Sequence, residues 1–302
     1  MWVDEGASIS VANYPIPKIL ESRIYIQDSS YRDFHPPLYY LILSGSRRLL
    51  GESDFSYRYV SVIFSLLTLS LIFKLGEKLH STQAGLIALG LDSIIPISIQ
   101  YAQEARMYTL VVLLAVLVTY KLLELLHKTE ANKAFSITAL IPIVIASALL
   151  AFANYSAWFF LGCQGIFVFW WGWKQGFKTH IVIFSSVSFI LFALFWLFFK
   201  PDLPYFDSGQ FDPWLLASFA QRLLDNTFTL STAPSLMGQL AGLKSILGWL
   251  IYLIVAIGIF QIPKKVNRLV LLTHWLAIPI GLFLMEIITP GFQNIFHLRH
   301  VL

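Results

Sequence analysis

Charge is scarce in this chain. Asp, Glu, Lys and Arg make up 13% of its 302 residues, against roughly 25% in an ordinary soluble domain, so a surface that meets water on every element is excluded. Cysteine is almost absent. Cys163 stands alone inside an apolar run, so the chain closes no internal disulfide, offers no thiol metal site and says nothing of compartment. No element concentrates Lys and Arg, so the formal net charge of +4 is not the footprint of a nucleic-acid partner. No internal repeat or low-complexity tract is visible either, and the inverted-repeat signature of many transporters is therefore missing. What is abundant is apolar: 57% hydrophobic and 16% aromatic residues, with a mean hydropathy of +0.70, arranged in long unbroken runs. That pattern predicts an all-α polytopic membrane protein and excludes a soluble enzyme or a disordered tail.

A charge at the bilayer centre costs at least about 2.5 kcal/mol, so charged residues mark the ends of the spans. Reading between them predicts eight transmembrane helices, near 59–79, 83–101, 106–126, 135–153, 157–173, 180–199, 245–262 and 268–288. The run from Ala134 to Trp173 holds 40 residues without a charge, about twice the roughly 20 needed for one crossing. Asn154-Tyr155-Ser156 is its only polar break and the expected turn. The chain then reads as a single membrane domain: a non-cytoplasmic segment with juxtamembrane helices over 1–58, six spans over 59–199, a non-cytoplasmic loop over 200–244, and two spans with a closing non-cytoplasmic segment over 245–302.

Orientation follows from the short loops. Lys74 and Lys78, Lys128 and Lys133, Lys174 and Lys178, and Lys264, Lys265 and Arg268 fall in four loops that alternating spans place on one side. The positive-inside rule makes that side cytoplasmic. Residues 1–58 also carry basic residues together with seven acids, but long polar segments translocate with little regard to charge. Exporting that segment requires a preceding span, and the sequence ends directly after one, so a helix before Met1 and one or more after Leu302 are expected. Tyr39, Tyr40, Trp158, Trp170, Trp171 and Trp173 read as an interfacial belt.

With the spans as scaffold, chemistry is expected where polar residues gather, on the exported face. Asp4-Glu5, the run Asp33-Phe34-His35-Pro36-Pro37-Leu38-Tyr39-Tyr40, and Tyr101-Ala102-Gln103-Glu104-Ala105-Arg106-Met107-Tyr108 lie there. A carboxylate deprotonates a hydroxyl or holds a divalent cation, and Arg and His take the charge of a phosphate. Each group also has a plain reading: a solvated terminus for Asp4-Glu5, a helix start for His35-Pro36-Pro37, interfacial charges for Glu104 and Arg106. Asp92 lies within a predicted span, where an ionisable residue is costly. Its structural or lipid-cavity reading outweighs a proton relay.

The order Trp2-Val3-Asp4-Glu5, His35-Pro36-Pro37-Leu38-Tyr39-Tyr40, Leu50-Gly51-Glu52-Ser53-Asp54-Phe55 with Arg58, and Gln103-Glu104-Ala105-Arg106-Met107-Tyr108 resembles glycosyltransferase family 39. This is the GT-C-fold group related to protein O-mannosyltransferases and lipid A aminoarabinose transferases. The closing Arg299-His300-Val301-Leu302 is similar to the family's Arg-Tyr-Leu-Leu stretch, with His in place of Tyr. The resemblance implies a GT-C-like helical bundle that moves a sugar from a polyprenyl-phosphate donor to a lipid, glycan or protein acceptor, with inversion at the anomeric carbon. The expected location is the bacterial plasma membrane, with the site facing the periplasm or exterior.

A polyprenyl phosphate leaves as a stable anion, so such a transfer needs a base for the acceptor hydroxyl and positive charge at the phosphate. Asp4 is the expected base, with Glu5 assisting or orienting. His35, Arg106 and Arg299 are the phosphate candidates, with Glu104, Tyr101 and Gln103 in support. A divalent cation, Mg or Mn, on Asp4 and Glu5 is compatible with this set, although two carboxylates do not identify one. The rival readings are a transporter or flippase of a lipid-linked substrate and a noncatalytic remnant.

Overall fold

The computed structural model describes residues 3–21, 23–26, 29–32, 35–132, 138–155, 157–177 and 244–288, leaving aside the side chains of residues 3, 4, 23–26, 29–32, 244, 245, 247, 248 and 277–288. The chain divides into two compact units, Met1–Asp202 and Leu203–Leu302.

The first unit begins with α1 (Val3–Ala12) and the short α2 (Ile16–Leu20), which starts behind Pro15 and carries Pro17 in its first turn. One small antiparallel ladder follows, β1 (Arg23–Ile26) with β2 (Ser29–Arg32), in the register Arg23 opposite Arg32 and Ile26 opposite Ser29. Pro37 caps α3 (Leu38–Leu50), so the His35-Pro36-Pro37 run does open a helix. Tyr39 and Tyr40 belong to the core of the unit, which corrects their reading as interfacial residues. The reason is helical phase: together with Leu43 they form the face of α3 that packs under α1 and α4.

The Leu50-Gly51-Glu52-Ser53-Asp54-Phe55 motif builds a helix-to-helix corner. Gly51 closes α3 at a φ of 84°, a left-handed conformation that a side chain would strain. Ser53 then caps α4 (Asp54–Leu79), accepting from the Ser56 N–H, while Ser56 Oγ accepts from the Ser53 N–H. Asp54 adds a favourable negative charge in the first turn. The helix runs 26 residues and is long and apolar enough to cross a membrane.

Ser81 caps α5 (Thr82–Ile94), and Thr82 Oγ1 donates to Glu77 across the tight turn from α4. Two glycines let the backbones touch there. A Cβ on Gly85 would sit 2.5 Å from the Phe73 carbonyl oxygen, and one on Gly76 would sit 2.7 Å from the Gly85 Cα, so this hairpin packs by the small-residue rule of membrane helices. The predicted second span is not straight. Pro96 denies the Asp92 carbonyl its helical donor, and α6 (Pro96–Ala102) leaves α5 at 65°. Taken together the pair is long and apolar enough to be one broken span or a re-entrant loop.

The third expected span, from Arg106, starts later. Gln103 closes α6, the chain turns through Glu104–Met107, and α7 (Tyr108–Asn132) follows as the second unbroken helix long and apolar enough to cross. A 3₁₀ turn, Thr138–Leu140, leads into α8 (Ile141–Ala153), and α9 spans Ala157–Lys174. The uncharged 40-residue run therefore breaks where its one polar interruption lies. Asn154 terminates α8 in an extended conformation. Core residues of α7 and α8, Val118, Leu125, Ile143 and Ala146, pack together.

The starts of α4 and α7 meet α1 at one end of the unit, through the contacts of Glu5 with Arg58 and Ala105 and of Ser8 with Arg106. Large apolar side chains on the outer faces, Leu66 and Leu67 on α4 and Leu86 and Ile87 on α5, remain exposed, as expected of an integral membrane protein whose helices face lipid. In the second unit, α10 (Lys244–Phe260) and α11 (Lys265–Ile288) pack against one another, with the Tyr252 and Trp275 rings 5.4 Å apart. The span expected over 180–199 lies outside the described residues.

Candidate functional site

A polar constellation occupies the end of the first unit where α1, α4 and the turn between α6 and α7 meet. It starts from the phase of α1. Glu5, Ser8, Val11 and Ala12 recur at the spacing of one helical face, and all four are buried. Glu5 is 1% exposed. An unpaired carboxylate in such a place is expensive, and charge-assisted hydrogen bonds compensate it. Arg58 clamps it with Nε to Oε1 at 3.0 Å and Nη2 to Oε2 at 2.8 Å, and the Ala105 backbone N–H donates to Oε1 at 2.9 Å. The planar fork of arginine matches both carboxylate oxygens at once, which a lysine does not. Glu5 thereby ties α1 to α4 and to the turn before α7.

Arg106 follows directly. It is 5% exposed, its Nη1 donates to Ser8 Oγ at 3.2 Å, and its guanidinium lies 5.7 Å from the Tyr108 ring centre. Its carbonyl accepts from Ser61 Oγ at 3.4 Å, and Ser61 also shares a hydrogen bond of 2.9 Å with the Tyr39 hydroxyl. Burial pushes the Tyr39 phenol well above its ordinary pKa, so it stays protonated. Tyr39 and Ser61 therefore hold the backbone of the turn while Glu5 and Ser8 hold α1 beside it. Arg106 reaches α1 one turn beyond Asp4.

The other sequence-derived residues divide as follows. Asp4 stands in the first turn of α1, next to Glu5, and its side chain lies outside the described residues. His35 is buried just before α3. Glu104 accepts from Gln100 Nε2 at 2.9 Å and adds negative potential at the Arg58 guanidinium. The Tyr101 ring lies against Tyr108 with centroids 4.4 Å apart and planes tilted by 36°, and Gln103 is exposed where α6 ends. Arg299 lies outside the described residues. Among the described residues no three His, Cys, Asp or Glu side chains gather as a metal cage. The oxygens of Glu5 already face a guanidinium and an N–H, which is the chemistry of an anchored carboxylate.

Residues 34–198 match the family profile described as dolichyl-phosphate-mannose-protein mannosyltransferase, more than half of the chain. The chain belongs to that family. Membership places it among the membrane glycosyltransferases. The match contains His35-Pro36-Pro37, the Gly51–Asp54 corner, Arg58 and the Gln103–Tyr108 turn, and it begins after Asp4-Glu5. Neither a curated protein nor a solved structure gives a match. Within the family region, Arg58, Ser61 and Tyr39 were not singled out as functional residues by sequence reasoning, although Arg58 stands in a motif that carries the resemblance. The missing signal was pairing: Glu5 lies 53 residues from Arg58 and 100 from Ala105.

Arg58→Ala removes both arms of the clamp and strands a buried carboxylate. Loss of charge-assisted hydrogen bonds costs about 1.5–3 kcal/mol. The Arg58 side chain is 36% exposed, and solvent screening puts the expected loss at the low end of that range. Arg58→Lys keeps the charge without the fork and should recover only part. Thermal unfolding of the detergent-solubilised protein measures both, and an unfolding midpoint unchanged by Arg58→Ala would overturn the anchoring role of the pair.

Proposed function

We propose that the protein transfers a sugar from a polyprenyl-phosphate donor to an acceptor hydroxyl, in one inverting displacement on the non-cytoplasmic side of the membrane. The observation that carries this reading is the buried Arg106, bonded to α1 one turn beyond Asp4. It puts a permanent cation and a carboxylate-bearing helix in one corner of a membrane glycosyltransferase. In the reaction the acceptor oxygen attacks the anomeric carbon, the bond from that carbon to the phosphate oxygen breaks, and the polyprenyl phosphate departs with the electron pair. Asp4 takes the proton of the acceptor hydroxyl. Arg106, with His35 and Arg299, compensates the charge that grows on the leaving phosphate. Glu5 acts through Arg58 and Ala105, holding α1 in place. The donor suggested by the family description is a dolichyl-phosphate sugar and the acceptor a protein, with a lipid or glycan hydroxyl as the alternative acceptor.

Eight crossings accompany this reading: α4, α5 with α6, α7, α8, α9, the run 180–199, α10 and α11. The lysine-bearing loops then face the cytoplasm, and the polar corner faces away from it.

Membranes containing the complete protein should consume a polyprenyl-phosphate sugar, and Arg106→Ala should weaken donor use by roughly 10- to 150-fold, the equivalent of a lost charged hydrogen bond at 1.5–3 kcal/mol. Donor kinetics unchanged in a correctly inserted Arg106→Ala protein would remove that residue from the site. A protein that binds the lipid-linked sugar and moves it across the bilayer without consuming it would be a flippase.

A further inference from the structure

The Asp92 carboxylate has no part in the corner just described, yet it is retained within the apolar α5–α6 pair, where an ionisable side chain is costly if the pair enters the membrane. It sits on the last turn of α5, three residues before the break at Ile95, and its Oδ1 accepts from Ser98 Oγ at 2.9 Å. Ser98 belongs to α6, on the far side of Pro96. The backbone bridges the break only through Ile95, whose N–H bonds Leu91 and whose carbonyl accepts from Ser98 and Ile99, because Pro96 has no N–H to offer the Asp92 carbonyl. Among the described residues, the direct side-chain hydrogen bond across the 65° bend is Ser98 to Asp92.

We propose that Asp92 and Ser98 form a latch that sets the angle of the bend and thereby positions the turn that carries Arg106. The lever is short and stiff. Seven residues of α6 make a rod about 10 Å long at 1.5 Å per residue, so a rotation of about 10° moves its far end by about 2 Å. That far end is the Gln103–Met107 turn, whose Ala105 N–H meets Glu5 and whose Arg106 meets Ser8. A displacement of about 1 Å in a positioning group is enough to cost two orders of magnitude in a reaction. α6 also packs on α4 and α7, and Ile95 is tied to each helix, its N–H to the Leu91 carbonyl and its carbonyl to the Ser98 and Ile99 N–H groups; these contacts limit the motion and leave the torsions at Ile95 as the hinge. Asp92 is a positioning residue here, acting through α6 and touching no substrate.

The functional half of this inference rests on the transferase reading; the latch itself does not, and two measurements keep them apart. Spin labels at Ile87→Cys on α5 and Ile99→Cys on α6, both at exposed positions, in a Cys163→Ser background of the complete protein, report the bend as a distance distribution. Asp92→Ala and Ser98→Ala should each broaden or shift it. Asp92→Asn should restore it, since the amide oxygen still accepts from Ser98. In the transfer assay, either alanine variant should lower donor use by about 3- to 10-fold, the range of a lost hydrogen bond, and the double variant should be no worse than the single ones, because both delete one interaction. An unchanged distance distribution, additive losses, or Asp92→Asn as damaging as Asp92→Ala would overturn the latch. A bend loosened by the alanine variants in a protein whose unsubstituted form turns over no donor would support the latch and reject the transferase reading.

Discussion

Asp4→Asn is expected to lower sugar transfer by roughly 100- to 10,000-fold, the contribution of a general base, at unchanged expression and insertion. The substitution keeps the size and shape of the side chain and removes its charge, so the chemistry is lost without a packing defect. A carboxylate that merely faces water would contribute almost nothing, and wild-type turnover in Asp4→Asn would sink the mechanism. Its neighbour is expected to behave differently. Glu5→Gln breaks a buried ion pair with Arg58 and weakens the acceptor of the Ala105 N–H, so its first effect is on stability, read as a lower unfolding midpoint. Activity falls with the displacement of α1. If Glu5→Gln abolished transfer with the unfolding midpoint intact while Asp4→Asn stayed active, the two residues would exchange roles.

Gly85→Ala is expected to unpack the α4–α5 hairpin. The added Cβ meets the Phe73 carbonyl oxygen at 2.5 Å and the Glu77 nitrogen at 3.1 Å. Both are backbone atoms, so no rotamer change relieves the contact and the helices must part. Overpacking typically costs about 1–3 kcal/mol, occasionally more, and a clash between rigid backbones belongs at the upper end. Gly90 supplies the control within the same helix, since a Cβ there meets nothing within 4 Å. Gly90→Ala should be neutral or stabilising by up to about 1 kcal/mol, the difference in helix propensity. Unfolding midpoints in detergent decide the matter: equal stability of the two variants would show that the close approach is not required. Since α5 continues through the bend into α6, Gly85→Ala should also disturb the turn that carries Arg106.

Much of the helical order was legible beforehand because its causes are local. Lipid offers no hydrogen bonds, so an apolar run satisfies its own backbone as a helix and ends where a polar break or a cap permits. Asn154-Tyr155 divides the uncharged run for that reason. Ser53 and Gly51 mark their corner through capping and φ, both visible in the residue types. Two misreadings have equally definite causes. Tyr39 and Tyr40 looked interfacial because aromatic residues collect at membrane surfaces, but α3 packs them inward. Arg106 looked like the start of a span because charged residues mark span ends and Glu104 and Arg106 stand together there, but α6 closes at Ala102 and the chain needs five residues, Gln103–Met107, to turn before α7.

The candidate site was legible as a set of residue types on one face and illegible as an arrangement. Asp4 and Glu5 are adjacent carboxylates with nothing in the pair to rank them. The helical phase of α1 buries Glu5 among Ser8, Val11 and Ala12, and only a folded chain brings Arg58 and the Ala105 N–H to it. Composition and hydropathy, which are properties of each segment by itself, determined the membrane class, the order of the helices and the end at which polar residues collect. Tertiary structure decided which carboxylate is anchored, which arginine anchors it and how α6 presents Arg106, because those contacts join residues 53, 98 and 100 positions apart, and their energy exists only once the helices that carry them have packed.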